Sequence, residues 1–493
     1  MKKEAYLISL LLVFIIGCGS KVEDVTSIED YFLKTPTVVS VSPSNLEKNV
    51  SLKADITITA TFDKNMDSKT ITANTFIIKD NKGNIDGAIT YSDRKANFKP
   101  NVGLTANTTY TASISKEVKD SIGNNISAEY SWSFNTGSVP ISLSKTGQTT
   151  CYDSSGNVIA CAGTGQDGEI QAGVAWPNPR FTVSADDYCV TDNLTGMMWV
   201  RSPDSATRTW QQSLDYANGL NLCGYTDWRL PNVNELESLI NVEQPNSSAA
   251  WLNTQGFNNV KFASYWASTT NTYKTYFAWI VSMGYGYMDN NNKSVSGYFY
   301  AWPVRSGQAG VTQLWKTGQT TCYDSLGNVI VCAGTGQDGE MQAGVTWPTP
   351  RFTVSGECVT DNLTSLMWAR NANLIKSINP GFDTDSTPGD GAVFWQHALD
   401  YVNGLSLCGY TDWRLPNRKE LHSLDDFSRY NPSLPLDYPF LNVQSAYYWS
   451  STSDHITGPQ AAWVVGMWDK DEYMFTFYKS TVLSYVWPVR SGK

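Results

Sequence analysis

The chain has 493 residues, which at about 100 to 200 residues per domain predicts three or four domains rather than one core. Its 46 acidic and 36 basic residues give a net charge of -10. Because nucleic acids are bound by clustered Lys and Arg, this balance excludes them as a principal partner. Nine cysteines and only three histidines are typical of an oxidising compartment rather than of a zinc or imidazole site.

The N-terminus has the pattern of an export signal. Two lysines precede the apolar run 6–16, which is too short to span a bilayer. The run ends at Gly17 and Cys18 and resembles a bacterial lipoprotein lipobox. The resemblance implies cleavage after residues 1–17, lipidation of Cys18 and a lipidated tether over residues 18–35. A glycine rather than an aspartate at position 19 implies the outer membrane, with the chain facing either the outside or the periplasm.

Residues 36–138 alternate short β-type runs with Asn, Asp and Gly turns, as in residues 56–62. Such period-two runs with regular turns predict a β-sandwich. The stretches Phe62 to Asp67 and Trp132 to Gly137 resemble the bacterial Ig-like domain family. The segment carries 11 basic and 10 acidic residues, without a charged patch, and the resemblance implies a stalk.

The rest of the chain is a tandem repeat. Residues 143–184 align with residues 314–355, and 36 of these 42 positions are identical. Such identity indicates duplication, and we define copy one as residues 139–310 and copy two as residues 311–493. Copy two has an additional segment, residues 375–393.

Each copy contains four cysteines, which allow three pairings. The first two flank a Ser-Gly-Asn or Leu-Gly-Asn turn, which favours a hairpin closed by a disulfide. This pairing leaves the third and fourth cysteines to each other, and Cys18 accounts for the odd ninth cysteine. The favoured disulfides are Cys151 with Cys161, Cys189 with Cys223, Cys322 with Cys332, and Cys358 with Cys408.

The sequence of each copy predicts two helices followed by aromatic strands, which is an α+β organisation. Thr209 and Gln212 have the spacing of a capping box at the first helix. The second helix begins after Leu-Pro at Asn232 in copy one and at Asn417 in copy two, each with a glutamate three residues later.

Three motifs recur in both copies and resemble the Lcl C-terminal domain family, which is known from a bacterial collagen-like adhesin. They are Thr191 to Trp199, Gly224 to Asn232 and Trp302 to Gly307, then Thr360 to Trp368, Gly409 to Asn417 and Trp487 to Gly492. Copy two departs at Ser365, where the family usually has Gly. The resemblance implies C-type-lectin-like modules, and hence a multidomain chain in which a β-sandwich precedes two α+β modules of this fold.

The same fold also hosts formylglycine-generating enzymes, which need reactive thiols, whereas the eight module cysteines fit disulfides. The histidines, His397, His422 and His455, all lie in copy two, so the copies cannot share a histidine-dependent mechanism. For Asp227 with Arg229, and for Asp412 with Arg414, a paired structural role is favoured over a catalytic one. We therefore expect no catalytic residues and no enzyme activity.

No cofactor is expected, with one candidate exception. Asp383, Asp385 and Asp390 place three carboxylates on a Gly- and Pro-rich loop, where they could ligate calcium. The alternative is a solvated acidic loop.

The two copies diverge between Trp266 and Trp302 in copy one, and between Trp449 and Trp487 in copy two. A fixed scaffold with changed loops is how binding modules acquire ligands, and drift of a surface loop is the alternative. The candidate ligand-binding residues are Tyr285, Tyr287, Asn290, Asn291 and Asn292 in copy one, and Trp468, Asp469, Asp471, Glu472 and Tyr473 in copy two.

Copy one contains 9 basic and 13 acidic residues and copy two contains 12 and 18, a charge that disfavours a sulfated glycan. The sequence predicts a lipid-anchored, non-catalytic adhesion or ligand-binding protein of the cell envelope, whose extracellular partner is a neutral glycan or a protein. An enzyme of the formylglycine-generating type and a structural envelope protein are the alternatives.

Overall fold

The computed structural model describes residues 34–492, apart from residues 51, 53–55, 107, 138, 139, 245, 246, 384–386 and 469–471. The signal segment, Cys18 and most of the tether therefore lie outside the described residues. The chain divides between Val139 and Pro140 into two compact units. Within the described ranges, no helix is both long and apolar enough to cross a bilayer.

The first unit is the predicted β-sandwich. Its sheets have the strand orders β1-β3-β6-β5 and β2-β8-β7-β4. Alternate residues face the core, where the Phe76 ring contacts those of Phe98 and Trp132 at centroid distances of 5.9 and 6.1 Å. The strands are β1 Val38–Ser42, β2 Glu47–Val50, β3 Ile58–Phe62, β4 Phe76–Lys79, β5 Gly87–Ser92, β6 Lys95–Pro100, β7 Thr109–Ile114 and β8 Tyr130–Thr136.

The second unit contains both copies. In copy one the strands are β9 Cys151–Tyr152, β10 Val158–Ile159, β11 Phe181–Val183, β12 Cys189–Asp192, β13 Met198–Val200, β14 Ser264–Thr270, β15 Phe277–Ser282, β16 Met288–Asn292 and β17 Val304–Arg305. The helices of copy one are α1 Asp167–Ile170, α2 Trp210–Asn218, α3 Val233–Glu237 and α4 Ser248–Thr254.

Copy two repeats the order of the strands, adds one helix and, within its described residues, has no helix that corresponds to α4. Its strands are β18 Cys322–Tyr323, β19 Val329–Ile330, β20 Phe352–Ser355, β21 Cys358–Asp361, β22 Met367–Ala369, β23 Tyr447–Ser453, β24 Ala461–Gly466, β25 Glu472–Tyr478 and β26 Val489–Arg490. Its helices are α5 Asp338–Met341, α6 Leu374–Ile378, α7 Trp395–Asn403 and α8 Arg418–His422. The added helix α6 and a 3₁₀ turn, Pro380–Phe382, belong to the additional segment.

The predicted helix starts are confirmed. Thr209 caps α2 and forms a reciprocal capping box with Gln212. Asn232 at α3 and Asn417 at α8 form the same box with the glutamate three residues later. Each box satisfies two backbone N–H groups that a helix start otherwise leaves unpaired.

Each copy has its own four-stranded sheet, β11-β12-β13-β17 in copy one and β20-β21-β22-β26 in copy two. The largest sheet has six strands in the order β14-β15-β16-β25-β24-β23 and belongs to both copies. At its centre β16 pairs antiparallel with β25, where Met288 faces Met474 and Asp289 faces Glu472. A single hydrophobic core contains buried residues from both copies. The sequence predicted two modules in a row, whereas the structure joins them in one unit.

The joined copies also exchange their first segments. We call residues 143–173 arm one and residues 314–344 arm two. The side chain of Gln148 in arm one bonds both backbone groups of Ser453 in copy two, at 2.9 Å each. In the mirrored contact, Gln319 of arm two accepts from the Thr270 amide of copy one at 3.0 Å. Each arm therefore completes the buried hydrogen bonding of the other copy.

This exchange predicts that neither copy is stable alone. A fragment of residues 311–493 would expose the edge of β25 and lose the contacts of arm one, and unpaired buried backbone groups are costly. We expect no cooperative thermal unfolding of this fragment as a monomer by circular dichroism and analytical ultracentrifugation. An equimolar mixture with residues 140–310 should form a 1:1 complex that unfolds cooperatively. A monomeric fragment as stable as residues 140–493 would contradict the exchange.

Candidate functional site

The four predicted disulfides are confirmed: Cys151–Cys161, Cys189–Cys223, Cys322–Cys332 and Cys358–Cys408. The first and third close the hairpins β9–β10 and β18–β19. The second joins β12 to the loop before α3, and the fourth joins the corresponding parts of copy two. The eight module cysteines therefore hold the framework together.

Thiol alkylation under denaturing, non-reducing conditions tests this pairing. Because all eight module cysteines are paired, we expect iodoacetamide to label none of them, as read by mass spectrometry of residues 140–493. Labelling after reduction is the positive control. A labelled cysteine in the unreduced protein would restore the thiol-dependent alternative.

Five of the ten candidate ligand-binding residues lie on strands and not on a surface loop: Asn290, Asn291, Asn292, Glu472 and Tyr473. Met288–Asn292 and Glu472–Tyr478 are the strands that join the two copies. Asn290 is 5 % exposed and Tyr473 is 1 % exposed, so the prediction that these two side chains face a ligand is wrong. The local divergence of the copies reflects their contact with each other at these positions. Asp469 and Asp471 lie outside the described residues, and Glu472 is described only by its backbone.

Three of the predicted residues belong to a row of partly exposed aromatic side chains that crosses the boundary between the copies. Neighbouring ring centroids in this row are between 4.7 and 6.3 Å apart. We call these seven side chains the aromatic row: Phe262, Tyr285 and Tyr287 of copy one, then Phe475, Phe477, Tyr447 and Trp468 of copy two.

The aromatic row is most open at its copy-one end. Phe262 is 53 % exposed and Tyr285 is 43 % exposed, and their rings meet edge to face. Tyr287 is half-buried, its hydroxyl lies 3.3 Å from the Thr476 hydroxyl, and burial raises its pKa. Asn291 and Asn292 on β16 are also half-buried. The row thus offers apolar rings with neutral hydroxyls between them.

A buried charge fixes the turn that carries Tyr285 and Tyr287. Arg418 of copy two is fully buried and donates to the Gly286 carbonyl at 3.0 Å. Its guanidinium lies 3.9 Å from the ring centroid of Trp463, a ring that also contacts Tyr287. Gly286 has φ of 77°, and a Cβ there would meet Ile240, Trp463 and Arg418. The turn therefore requires glycine and copy two's arginine together.

The counter-charge to Arg418 comes from copy one. Glu237 at the end of α3 lies 3.4 Å from the Arg418 guanidinium and 3.8 Å from the Lys419 ammonium. The sequence offset of 185 pairs Arg418 with Val233 and His422 with Glu237. The two copies therefore contribute opposite charges to one buried cluster, and such charges are tolerated in a core mainly when paired.

In both copies the Asp-Trp-Arg motifs form ion pairs, but the aspartate and the arginine of each motif pair with other residues and not with each other, so the predicted partners were wrong. Asp227 accepts two bonds from Arg305, at 2.7 and 3.0 Å, and Arg229 pairs with Glu235 of the α3 capping box. Arg490 with Asp412 and Arg414 with Glu420 repeat both pairs in copy two. Each motif thereby ties the last strand to the helix start.

These motifs lie within the segments matched by known families. The Lcl C-terminal domain family matches residues 188–305 and 357–490, and the bacterial Ig-like domain family matches residues 34–136. The two Lcl matches together span more than half of the chain.

The chain belongs to the Lcl C-terminal domain family.

Solved structures add little to this assignment. Native α2-macroglobulin from Escherichia coli is 23% identical, over 23% of this chain and 35% of that chain, with a TM-score of 0.19. The N-terminal part of the bacterial S-layer protein SbsC is 21% identical, over 28% and 35%, with a TM-score of 0.19. CopC from Methylosinus trichosporium is 15% identical, over 21% and 94%, with a TM-score of 0.18. This chain thus spans about a third of the first two proteins, and no curated protein matches it.

Two of the three candidate calcium residues in the second Lcl domain accept hydrogen bonds from backbone amides of their own loop. One oxygen of Asp383 accepts from the amides of Gly389 and Gly391 at 2.9 Å each. Asp390 accepts from the Ala392 amide at 2.7 Å, and Asp385 lies outside the described residues. Among the residues that the structure describes, no cluster of three or more His, Cys, Asp or Glu is arranged to hold a metal ion.

The Lcl domains also bury a pair of corresponding lysines, Lys293 and Lys479, which the sequence analysis missed. Lys479 donates to the Ser453 hydroxyl at 2.8 Å and lies 4.0 Å from the Trp395 ring centroid. Lys293 lies 4.1 Å from the Trp210 ring centroid. Burial lowers the pKa of both lysines to about 7. A Ser–Lys pair can act as a nucleophile and base, but both Lys479 and Ser453 are fully buried. The sequence signal that could have revealed these lysines is a Lys-Ser dipeptide, at residues 293–294 and 479–480, which both copies share within an otherwise divergent segment.

A second feature that the sequence analysis missed is a buried carboxylate in each arm. Asp167 of arm one accepts from the hydroxyls of Thr146, in the same arm, and Thr452, in copy two, at 2.7 and 2.8 Å. Asp338 of arm two repeats this with Thr317 and Thr269, at 2.7 Å each. Burial raises the pKa of both carboxyls to about 6, although the hydroxyls act in the opposite direction.

The raised pKa predicts that ionisation of Asp167 destabilises the folded state as the pH rises. The folded-state pKa of Asp167 exceeds the ordinary value of 3.8, so its contribution to stability is complete below about pH 4 and is lost as pH rises through 6. The loss is at most about 3 kcal/mol. The free energy of unfolding is measured in urea at pH 4.5 and at pH 7.5 for wild type and for Asp167→Asn. Between the two pH values, the variant should become more stable relative to wild type.

Asp215→Asn, at an exposed position on α2, is the matched control and should show no such shift. The same difference between Asp167→Asn and wild type at both pH values would contradict the raised pKa.

Proposed function

We propose that this chain is a surface-anchored, non-catalytic binding protein whose joined Lcl domains present one composite ligand site, the aromatic row. Its combination of an Ig-like domain with two Lcl domains supports a surface or adhesion role. In this proposal, lipid on Cys18 anchors the chain in the outer membrane, the Ig-like domain is the stalk, and each Lcl domain adopts a C-type-lectin-like fold.

The observation that carries the proposal is the continuity of partly exposed rings across the two copies. Soluble proteins rarely expose large contiguous apolar patches unless these bind something. The fixed turn at Gly286 adds support, because Arg418 positions Tyr285 and Tyr287 before any ligand arrives, and such preorganisation lowers the entropic cost of binding.

The ligand that fits best is a neutral glycan. Aromatic rings offer apolar faces for the C–H groups of a sugar, and the hydroxyls of Tyr285 and Tyr287 are partners for sugar hydroxyls. Both copies are net acidic, which opposes a sulfated chain. A row that spans two copies suits an extended chain rather than a single sugar.

A glycan array probed with the full-length chain, followed by calorimetry on the best hit, tests this proposal. Tyr285→Ala and Phe475→Ala lie on opposite sides of the copy boundary, and each should weaken binding at least about tenfold, since losing a contact of about 1.4 kcal/mol has this effect. Because Tyr285 is 43 % exposed, we expect the melting temperature of Tyr285→Ala to change little. Phe475 packs against the core, so Phe475→Ala should lower the melting temperature and is compared below its own transition.

Tyr188→Ala is the control, since Tyr188 is 62 % exposed and lies outside the row. Unchanged affinity in both row variants would refute the placement of the site. Binding to proteins but not to glycans would show that the ligand is a protein and not a glycan. No binding to either would favour a structural envelope protein.

A further inference from the structure

Copy two has a cleft that the additional segment creates. One wall comes from this segment, with Ile378, Asn379 and Phe382, and the other from the end of α7 and the loop after it. The volume is about 390 Å³, within the range of about 300 to 1,000 Å³ that is usual for small-ligand sites. The walls are bridged by the Tyr401 hydroxyl, which donates to the Asn379 side chain at 3.0 Å.

The cleft is electronegative. Among the residues that the structure describes, Asp400 is the charged lining residue, and no lysine, arginine or histidine lines the cleft. The lining also includes Gly404, which ends the nine-residue helix α7, and a helix C-terminus carries a partial negative charge. Two aromatic rings, Phe382 and Tyr401, lie with centroids 5.2 Å apart in the same cleft. Tyr401 is only 6 % exposed, so Phe382 presents the accessible ring. A carboxylate beside aromatic rings favours an organic cation.

In copy one, an arginine side chain lies on the tyrosine that corresponds to Tyr401. Tyr216 is the counterpart of Tyr401 at the sequence offset of 185. The guanidinium of Arg208 lies 4.5 Å from the Tyr216 ring centroid and also pairs with Asp204. Copy one therefore supplies its own cation to this tyrosine.

Copy two lacks that cation. The Trp266 indole donates to the Arg208 carbonyl at 2.9 Å, and the Trp449 indole donates to the Val393 carbonyl at 2.8 Å. These matching bonds place Val393 where copy one has Arg208. In copy two, Phe382 of the added segment packs against the tyrosine instead, and the cleft lies beside these two rings.

We propose that the cleft of copy two binds an alkylguanidinium group, as the head of a small molecule or as an arginine side chain of a peptide. A planar guanidinium stacks on aromatic rings and bonds a carboxylate at its edge, which a compact ammonium does less well. Ile378, Leu405 and Leu407 would contact the alkyl chain. This site lies in copy two alone and is independent of the aromatic row.

Calorimetric titration of the full-length chain with N-acetyl-arginine amide tests the proposal. We expect millimolar or tighter binding, and at least about tenfold weaker binding of N-acetyl-citrulline amide, which has the same shape without the charge. Asp400→Asn should weaken the binding of the arginine compound about five- to tenfold, since Asp400 is exposed and the change conserves its shape.

Asp215→Asn is the matched control in copy one, where Gln211 bonds Asp215 as Gln396 bonds Asp400. It should leave the affinity unchanged, as should Tyr285→Ala. A peptide with one internal arginine identifies the source: tighter binding than the amide supports a peptide, and equal binding supports a small molecule. Equal affinity for the citrulline compound, no effect of Asp400→Asn, or no binding at 20 mM would overturn the proposal.

Discussion

Strand β16 of copy one pairs with strand β25 of copy two, and this pairing makes one sheet from two repeats. A strand left at a sheet edge exposes backbone groups that would pair with other chains, so the pairing protects both copies. It also brings the divergent segments of the two copies together. The aromatic row exists because of this contact, since its rings come from both sides of the boundary.

The arms add a second constraint. Because each arm places a buried carboxylate, Asp167 or Asp338, between its own threonine and one of the other copy, the exchange is built from polar contacts as well as apolar ones. Unsatisfied polar groups in a core are costly, so an arm that leaves its place loses several hydrogen bonds at once. The exchange therefore stabilises both copies.

Local features of the fold could be predicted from the sequence. The capping boxes at Thr209, Asn232 and Asn417, and the disulfide hairpins, depend on spacings of a few residues, which a sequence displays directly. The near identity of residues 143–184 and 314–355 revealed duplication. It could not reveal that each arm packs on the other copy, because nearly identical arms carry no local signal of which core they contact.

The candidate site was predictable in part for the same reason. Tyr285, Tyr287 and Trp468 stood out by their chemistry and do belong to the aromatic row. Phe475 and Phe477 were missed because they looked like ordinary strand residues. Asn290 and Tyr473 were assigned wrongly, since divergence between the copies was interpreted as a change of ligand, whereas both side chains are buried where the copies meet.

The opposite charges of Arg418 and Glu237 have a consequence for the ancestry of the chain. Two identical copies related by a twofold axis would form the same residue pair twice, once on each side of the axis, as a symmetric homodimer does. Here a copy-two pair would put His422 against Arg418, and a copy-one pair would leave Glu237 facing Val233 without a cation. The halves therefore contact each other as two different partners within one polypeptide. Covalent fusion guarantees their one-to-one stoichiometry, which freed each half to evolve as a partner rather than as a duplicate.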